Sequence, residues 1–399
     1  MELGGWERAH GYAANDHLLE KFGDRVPVRE SEWDNRHFFR VSNAEHLEMS
    51  ENVGMVNLTH FAMYDITGPD HVAFMEYLCA AKVGGDNQVG KGIYTHFLDD
   101  KGMVRSDFTV VRMEDRFRFI DGADAGNRDF VYMKRMAQDH NFDVEIVDVS
   151  EDFTTIGLWG PNARDTLKKV VADPDQLDPE NFPFAAIKTI EIAGVKVAAF
   201  RISYVGEQGW ELHMKYSDGL AVWDAIREHD VMPFGVETYA NTRRLEKSLR
   251  LQNADLLTEY NLFEADLARP KVKEADFVGK AAHLEYKARE HQVAKLCTFI
   301  MTENVDDDGI TRFPIGTMPI MDKETGETIV DELGRRSYTS SIAYGPTIGK
   351  NIALGYLPHE LAVKGNVFLM DYMGKDYPIE VAGVGYEPLY DPENLKPRS

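Results

Sequence analysis

The sequence has little of several things that would each mark a class of protein. Its 399 residues include two cysteines, Cys79 in YLCAA and Cys297 in KLCTFI, with no CxxC spacing. That excludes a disulfide framework, and both thiols read as reduced core residues. No apolar run approaches the roughly 18 residues that span a bilayer, and MELGGWERAH lacks the basic-then-apolar pattern of a leader. The expectation is a cytoplasmic protein without membrane contact. Cations are also scarce, with 44 Lys plus Arg against 67 Asp plus Glu and a formal charge of -23. Such a field repels nucleic-acid backbones, so an anionic ligand here needs a local island of cations. Finally, there is no GxGxxG before a helix, no P-loop, no HExxH and no GxSxG. Nucleotide, zinc-peptidase and serine-hydrolase readings therefore have no foothold.

Apolar residues make up 43% and charged residues 28%, with 21 Phe and 17 Tyr, which is the composition of a folded globular chain. The length allows two or three domains. Residues 1–35 are polar and aromatic without a clear period, as in GWERAHGY and EWDNRHFF, and read as an ordered arm. Strand-like runs such as MYDIT, DFTVV and FRFID then alternate with helical stretches such as DHVAFMEYLCAAKV. A second run of the same kind starts at FTTIGLWGPNARDTLKKVV, so two similar α+β layers are expected within residues 36–288. A helix-rich, charged stretch is expected from about Val236 to Gln252. Over residues 289–391, LCTFIM, SIAYGP, NIALGYL and NVFLMDYM are short β-like runs between Gly, Pro and Asp turns, the texture of a small barrel or jelly roll. Residues 392–399 form a tail.

Candidate chemistry is sparse. His60 and His96 are the nearest histidine pair for a metal, but no third ligand can be named, and a hydrogen-bonded strand-end histidine is the reading taken. GKGIYTHFLDDKGMVRSDFTVVRM reads as a hairpin turning at Asp99–Gly102, with Tyr94 and Asp107 near facing points. An acid directly before the apolar run FTVV either faces a cavity or is a solvated strand-start carboxylate.

Seven segments in series carry a resemblance: VGMVNLTHFAMYDITGPD, YTHFLDDKGMVRSDFTVV, LWGPNA, SYVGEQGWELH, RRLEKSLRL, EADFVGKAAH and IALGYL. In that order, over about residues 35–390, the chain resembles the glycine-cleavage T-protein (aminomethyltransferase) superfamily. GWERAHGY and PLYDPENL bring it nearest to the folate-binding C-terminal half of the dimethylglycine and sarcosine dehydrogenases. The resemblance implies a three-domain α+β cloverleaf with tetrahydrofolate at its centre. It also implies that Asp107 is the catalytic acid by the folate nitrogens, that Tyr94 lines the pterin site, and that Glu207 accepts hydrogen bonds from the pterin. A carboxylate at the first position would take the proton shed on carbon transfer and stabilise cationic character. Tyr204 and Trp210 flank Glu207, with core packing as their alternative role.

The departures from the family pattern also matter. The family's folate-tail arginine falls at Ala240, and an asparagine of its site falls near Gly122. Cations for the folate carboxylates are therefore sought at Arg243, with Lys247 and Arg250 on one expected helical face, and at Arg335 beside Arg336. Pairing within the helix, as Glu246 with Arg250, competes with that role. The dehydrogenase relatives carry a flavin domain ahead of this half, and none is expected here, since the arm, two layers and β domain account for the 399 residues. The expected activity is methyl transfer from a small activated donor to N5 of tetrahydrofolate. The alternatives are capture of an iminium or formaldehyde from a separate flavin dehydrogenase, or a non-catalytic folate-binding module. A monomer or small homo-oligomer without a metal is expected.

Overall fold

The computed structural model describes residues 2, 3, 5–29 and 38–399. Most of EWDNRHFF, and the arm boundary at residues 35 and 36, lie outside the described residues.

Two stretches of chain lay down the same order of elements: strand, helix, three strands, helix, strand. The first unit comprises Ala62–Thr67, His71–Leu78, Lys91–Leu98, Val104–Arg112, Phe117–Asp121, Ala123–Asp139 and Glu145–Asp148. The second comprises Phe153–Trp159, Ala163–Lys168, Ile187–Ile192, Val195–Phe200, Gly209–Lys215, Gly219–Arg227 and Met232–Pro233. With strands counted along each unit, both sheets have the spatial order 2-3-4-1-5. In the second, Gly54–Asn57 from ahead of the first unit is inserted between strands 1 and 5. The two similar layers are thus a structural repeat. Each packs its helices over one apolar face, around Phe74, Phe97 and Phe119 in the first unit and Leu158, Trp210 and Leu212 in the second.

The third sheet has six antiparallel strands in the order Ile320–Met321, Val367–Tyr372, Lys375–Val384, Ala294–Met301, Lys350–Pro358 and Thr339–Gly345. Its core holds Cys297, Phe299, Met370 and Ile379. The α+β fold with a C-terminal β domain is the one expected from the sequence. Both cysteines are buried and unpaired. Among the described residues no helix is long and apolar enough to cross a membrane.

Between the second unit and the third sheet, the stretch expected to be helical from Val236 to Gln252 is helical over 236–246 and irregular beyond. A π-helical turn, Thr238–Arg243, runs into one α-turn, Arg244–Glu246. The turn stops there because Ser248 takes a left-handed backbone, φ 53, and the following chain folds inward. Lys247 and Arg250 are consequently not successive residues on one helical face.

Two seams place the site. The outer edge of Lys91–Leu98 meets the second unit by main chain, with Gly92 N–H donating to Ala185 O at 3.1 Å and Ile187 N–H to Gly90 O at 3.1 Å. The N-terminal arm crosses the second unit. Its anchor is the buried Glu45 carboxylate, which accepts from Tyr12 N–H (2.8 Å), Asn15 Nδ2 (2.6 Å) and Gly235 N–H (2.9 Å). Val236 N–H donates to Ala9 O at 2.9 Å, which brings neighbouring Arg8 to the central cavity.

Candidate functional site

The hairpin Lys91–Leu98/Val104–Arg112 owes its turn to Asp99, whose Oδ1 accepts from Lys101 N–H and Met103 N–H at 2.9 Å each, and to Gly102 at φ 74. Strand alternation then sorts the side chains. Thr95 and Phe97, with Ser106, Phe108 and Val110, turn to the buried side of the sheet, while Tyr94, Asp107 and Thr109 share the other face. That second face forms one wall of a cavity of about 740 Å³ between the two units, the turn at 238–243, and the loop at 266–270.

At this wall the Tyr94 hydroxyl donates to Asp107 Oδ2 at 2.7 Å. Asp107 pairs across the hairpin with His96, and Tyr94 with Thr109, so the two functional groups meet diagonally. Burial pushes the Asp107 carboxyl up from its ordinary 3.8 to about 6, against the lowering pull of the Tyr94 hydroxyl. Tyr94 is nevertheless 38% accessible, because its ring faces the cavity. Asp121, also at the cavity wall, is 5% exposed, and its Oδ2 meets no donor. Burial first, and then the negative charge of Asp129, hold the Asp121 carboxyl well above the usual range.

Of the residues singled out in the sequence, Asp107, Tyr94 and Tyr204 come together at the cavity. The Tyr204 hydroxyl is already committed, donating to Arg250 O at 2.6 Å. Arg250 and His60 line it as well, whereas Glu207, Trp210, Arg243 and Arg335 do not. Glu207 is 1% exposed and ion-paired with Arg243 at 3.0 Å, because the turn at Gly206, φ 77, folds it back toward the central segment. The carboxylate of this motif that does line the cavity is Glu211, which lies 3.6 Å from His213 Nε2. Trp210, one residue before it, is a core residue with no exposed surface. Arg243 is fully buried, and besides Glu207 it donates to Val205 O at 2.9 Å and Ser50 Oγ at 2.7 Å. Arg335 is held by Glu264 and Asp331, each at 2.6 Å. Both arginines are therefore saturated by internal partners and offer nothing to a ligand carboxylate.

The missed wall residues left faint signals. In Gly209–Lys215, Trp210, Leu212 and Met214 belong to the core, so period-two alternation alone puts Glu211 on the opposite face. Ala240 does line the cavity, so the uncharged residue there leaves its cations to Arg8, Arg250 and Arg269. His60 lies at 3.1 Å from Arg8, and burial lowers both His60 and His96 to about 3. Among the described residues no three His, Cys, Asp or Glu side chains group as metal ligands.

A family model described as the GCVT N-terminal domain matches residues 1–272. The chain belongs to the glycine-cleavage T-protein family. The family's C-terminal barrel domain matches residues 316–391, within the third sheet region. The chain is 30% identical over 402 residues to "Dimethylglycine dehydrogenase, mitochondrial" of Rattus norvegicus, covering 99% of this chain and 43% of that protein. It thus spans less than half the length of that relative. An aminomethyltransferase of Saccharopolyspora erythraea is 29% identical, with 92% of this chain and 94% of that one covered. A T-protein family fold is also seen in the crystal structure of glycine cleavage system aminomethyltransferase T from Bartonella henselae, with TM-score 0.73, 19% identity, and coverage of 92% and 96%.

Proposed function

We propose that this cavity binds a reduced folate and that the chain moves a one-carbon unit onto it, with Asp107 as the proton-handling group. The observation that carries the reading is the Tyr94–Asp107 pair, a carboxyl lifted to about 6 and still hydrogen-bonded at the wall of a large cavity. A structural carboxylate is ordinarily stabilised in its ionised form, whereas one poised near neutrality suits proton transfer. The residues present fit the group. Tyr94 and Tyr239 offer aromatic faces at the wall, and Glu211 offers a carboxylate able to accept two N–H donors at once. Tetrahydrofolate supplies the nucleophilic N5 that accepts the carbon. Asp107 takes the N5 proton as the new N–C bond forms, and the donor's leaving heteroatom keeps the electrons of the bond that breaks. The donor proposed is a small methylated onium or ether. The carboxylates of Asp107 and Asp124 at the wall favour cationic donors.

A second reading is supported by the match of almost the whole chain to part of a dimethylglycine dehydrogenase. In it the same cavity captures a methylene iminium or formaldehyde made at a flavin site. Mass spectrometry of folate products separates the two: 5-methyltetrahydrofolate with a methylated donor alone supports transfer, and 5,10-methylenetetrahydrofolate formed only with an added oxidase supports capture. Asp107→Asn tests both. Retained folate affinity with lost turnover is the expected result, and unchanged turnover removes the catalytic assignment.

A further inference from the structure

The cavity wall carries six acidic side chains, Asp107, Asp121, Asp124, Glu211, Glu237 and Asp266, and three arginines. The arginines differ in what they have left to give. Arg250 is spent on main chain, with Nε and Nη2 donating to Ala265 O at 3.0 and 2.7 Å and Nη1 to Ser248 O at 2.9 Å. Arg8 contacts His60 and stands in the field of Asp124. Arg269 is different. Its Nη2 donates to Tyr94 O at 2.8 Å, and no carboxylate among the described residues forms an ion pair with it. The residue is exposed as a whole, and partial burial of its guanidinium lowers its pKa with no anion raising it in return. A guanidinium has five N–H donors, so four remain for something else.

Resting on the folate reading above, we propose that Arg269 is the carboxylate receptor of this cavity, its guanidinium pairing with a carboxylate of the bound ligand. Tyr94 fixes the arrangement, because its hydroxyl holds Asp107 and its carbonyl oxygen holds Arg269. One residue therefore sets the spacing between the acid and the cation. A ligand bearing a reacting nitrogen and a carboxylate is oriented by that polarity, since reversing it would bring its anion against the acidic wall. The arginine that the family resemblance leads one to expect at position 240 is replaced by an alanine facing the same cavity, and Arg269 supplies the charge from a different loop.

The test compares ligands with and without a carboxylate. Calorimetric affinities of the wild type and Arg269→Gln are measured for tetrahydrofolate and for 6-methyltetrahydropterin, which has no tail. The expected result is a loss of about 10- to 100-fold for tetrahydrofolate alone, the range of a charge-assisted hydrogen bond. Arg269→Lys should recover part of it. If tetrahydrofolate binding is unchanged, the same proteins are titrated with glycine betaine and with tetramethylammonium. A loss confined to betaine keeps the receptor and assigns the carboxylate to the donor. Equal losses for a carboxylate ligand and its carboxylate-free counterpart reduce Arg269 to a cap on the Tyr94 carbonyl, and no loss in either pair removes the proposal outright. A wild type that fails to bind tetrahydrofolate refutes the folate reading instead, and the betaine pair still decides the receptor.

Discussion

Replacing Asp107 by Asn should make the protein more stable and less active, and the gain should depend on pH in a defined way. Burial lifts this carboxyl from 3.8 to about 6. Between those values the folded chain holds a proton that the unfolded chain has already lost, so wild-type stability falls as pH rises through the window. Above it the full cost remains. At about 1.4 kcal/mol per unit, a shift of about two units is worth ~3 kcal/mol, an upper figure because water entering the cavity screens the charge. Asn keeps an oxygen for the Tyr94 hydroxyl and carries no charge. Urea denaturation of both proteins at pH 4 and pH 8 gives the comparison. The expected gain for Asp107→Asn is near zero at pH 4 and about 1–3 kcal/mol at pH 8. A gain of the same size at both pH values, or a loss at pH 8, would refute the claim that desolvation of the ionised carboxyl is what the fold tolerates here.

Tyr94→Phe removes the hydrogen bond that restrains the Asp107 pKa, so the acid limb of a pH–rate profile should move upward from about 6. A bond to a charged acceptor worth about 1.5–3 kcal/mol predicts a displacement of about one to two units; a stationary limb contradicts the coupling. Glu211→Gln should weaken tetrahydrofolate about tenfold in a binding titration with little change in melting, on the scale of one charged hydrogen bond. Arg243→Gln should do the reverse, costing about 3–5 kcal/mol in denaturation because it breaks buried ion pairs to both Glu207 and Glu246. Gly235→Ala sets a Cβ 1.9 Å from the His10 carbonyl oxygen, and so should free the N-terminal arm. Limited proteolysis should then cut near residues 8–15, and an arm as resistant as the wild type's would count against this contact.

The strands that bear Tyr94 and Asp107 could be read directly, because a hairpin with alternating burial leaves its register in the pattern of Phe97, Phe108 and Val110. The repeat was visible as two similar runs, though not its shared strand order, since order depends on which edges meet in space. Glu207 illustrates the limit in the other direction. It sits in a turn, where one positive-φ glycine decides whether the carboxylate points to a ligand or to Arg243, and no periodicity reports that choice. The arginines at 243, 247 and 250 looked like a charged face because a regular helix was assumed. With the helix broken by Ser248, each turns inward to a partner of its own, Glu207 for Arg243, Asp391 for Lys247, and the Ala265 carbonyl for Arg250. Arg269 carried no signal at all, because only the three-dimensional absence of a carboxylate distinguishes it.

The outer edge of strand Lys91–Leu98 carries one more consequence. Three alternate residues there already have a main-chain group engaged: Gly92 with Ala185, Tyr94 with Arg269, and His96 with Ala80. An open edge of this kind would invite a strand from another molecule, and a flat apolar hairpin is a common seed of aggregation. Here the strand that carries a candidate site residue is closed to recruitment by the same contacts that shape the cavity. A second protein can therefore approach this chain through side-chain surfaces and loops, but it cannot extend the sheet beside Tyr94 without first dismantling the site.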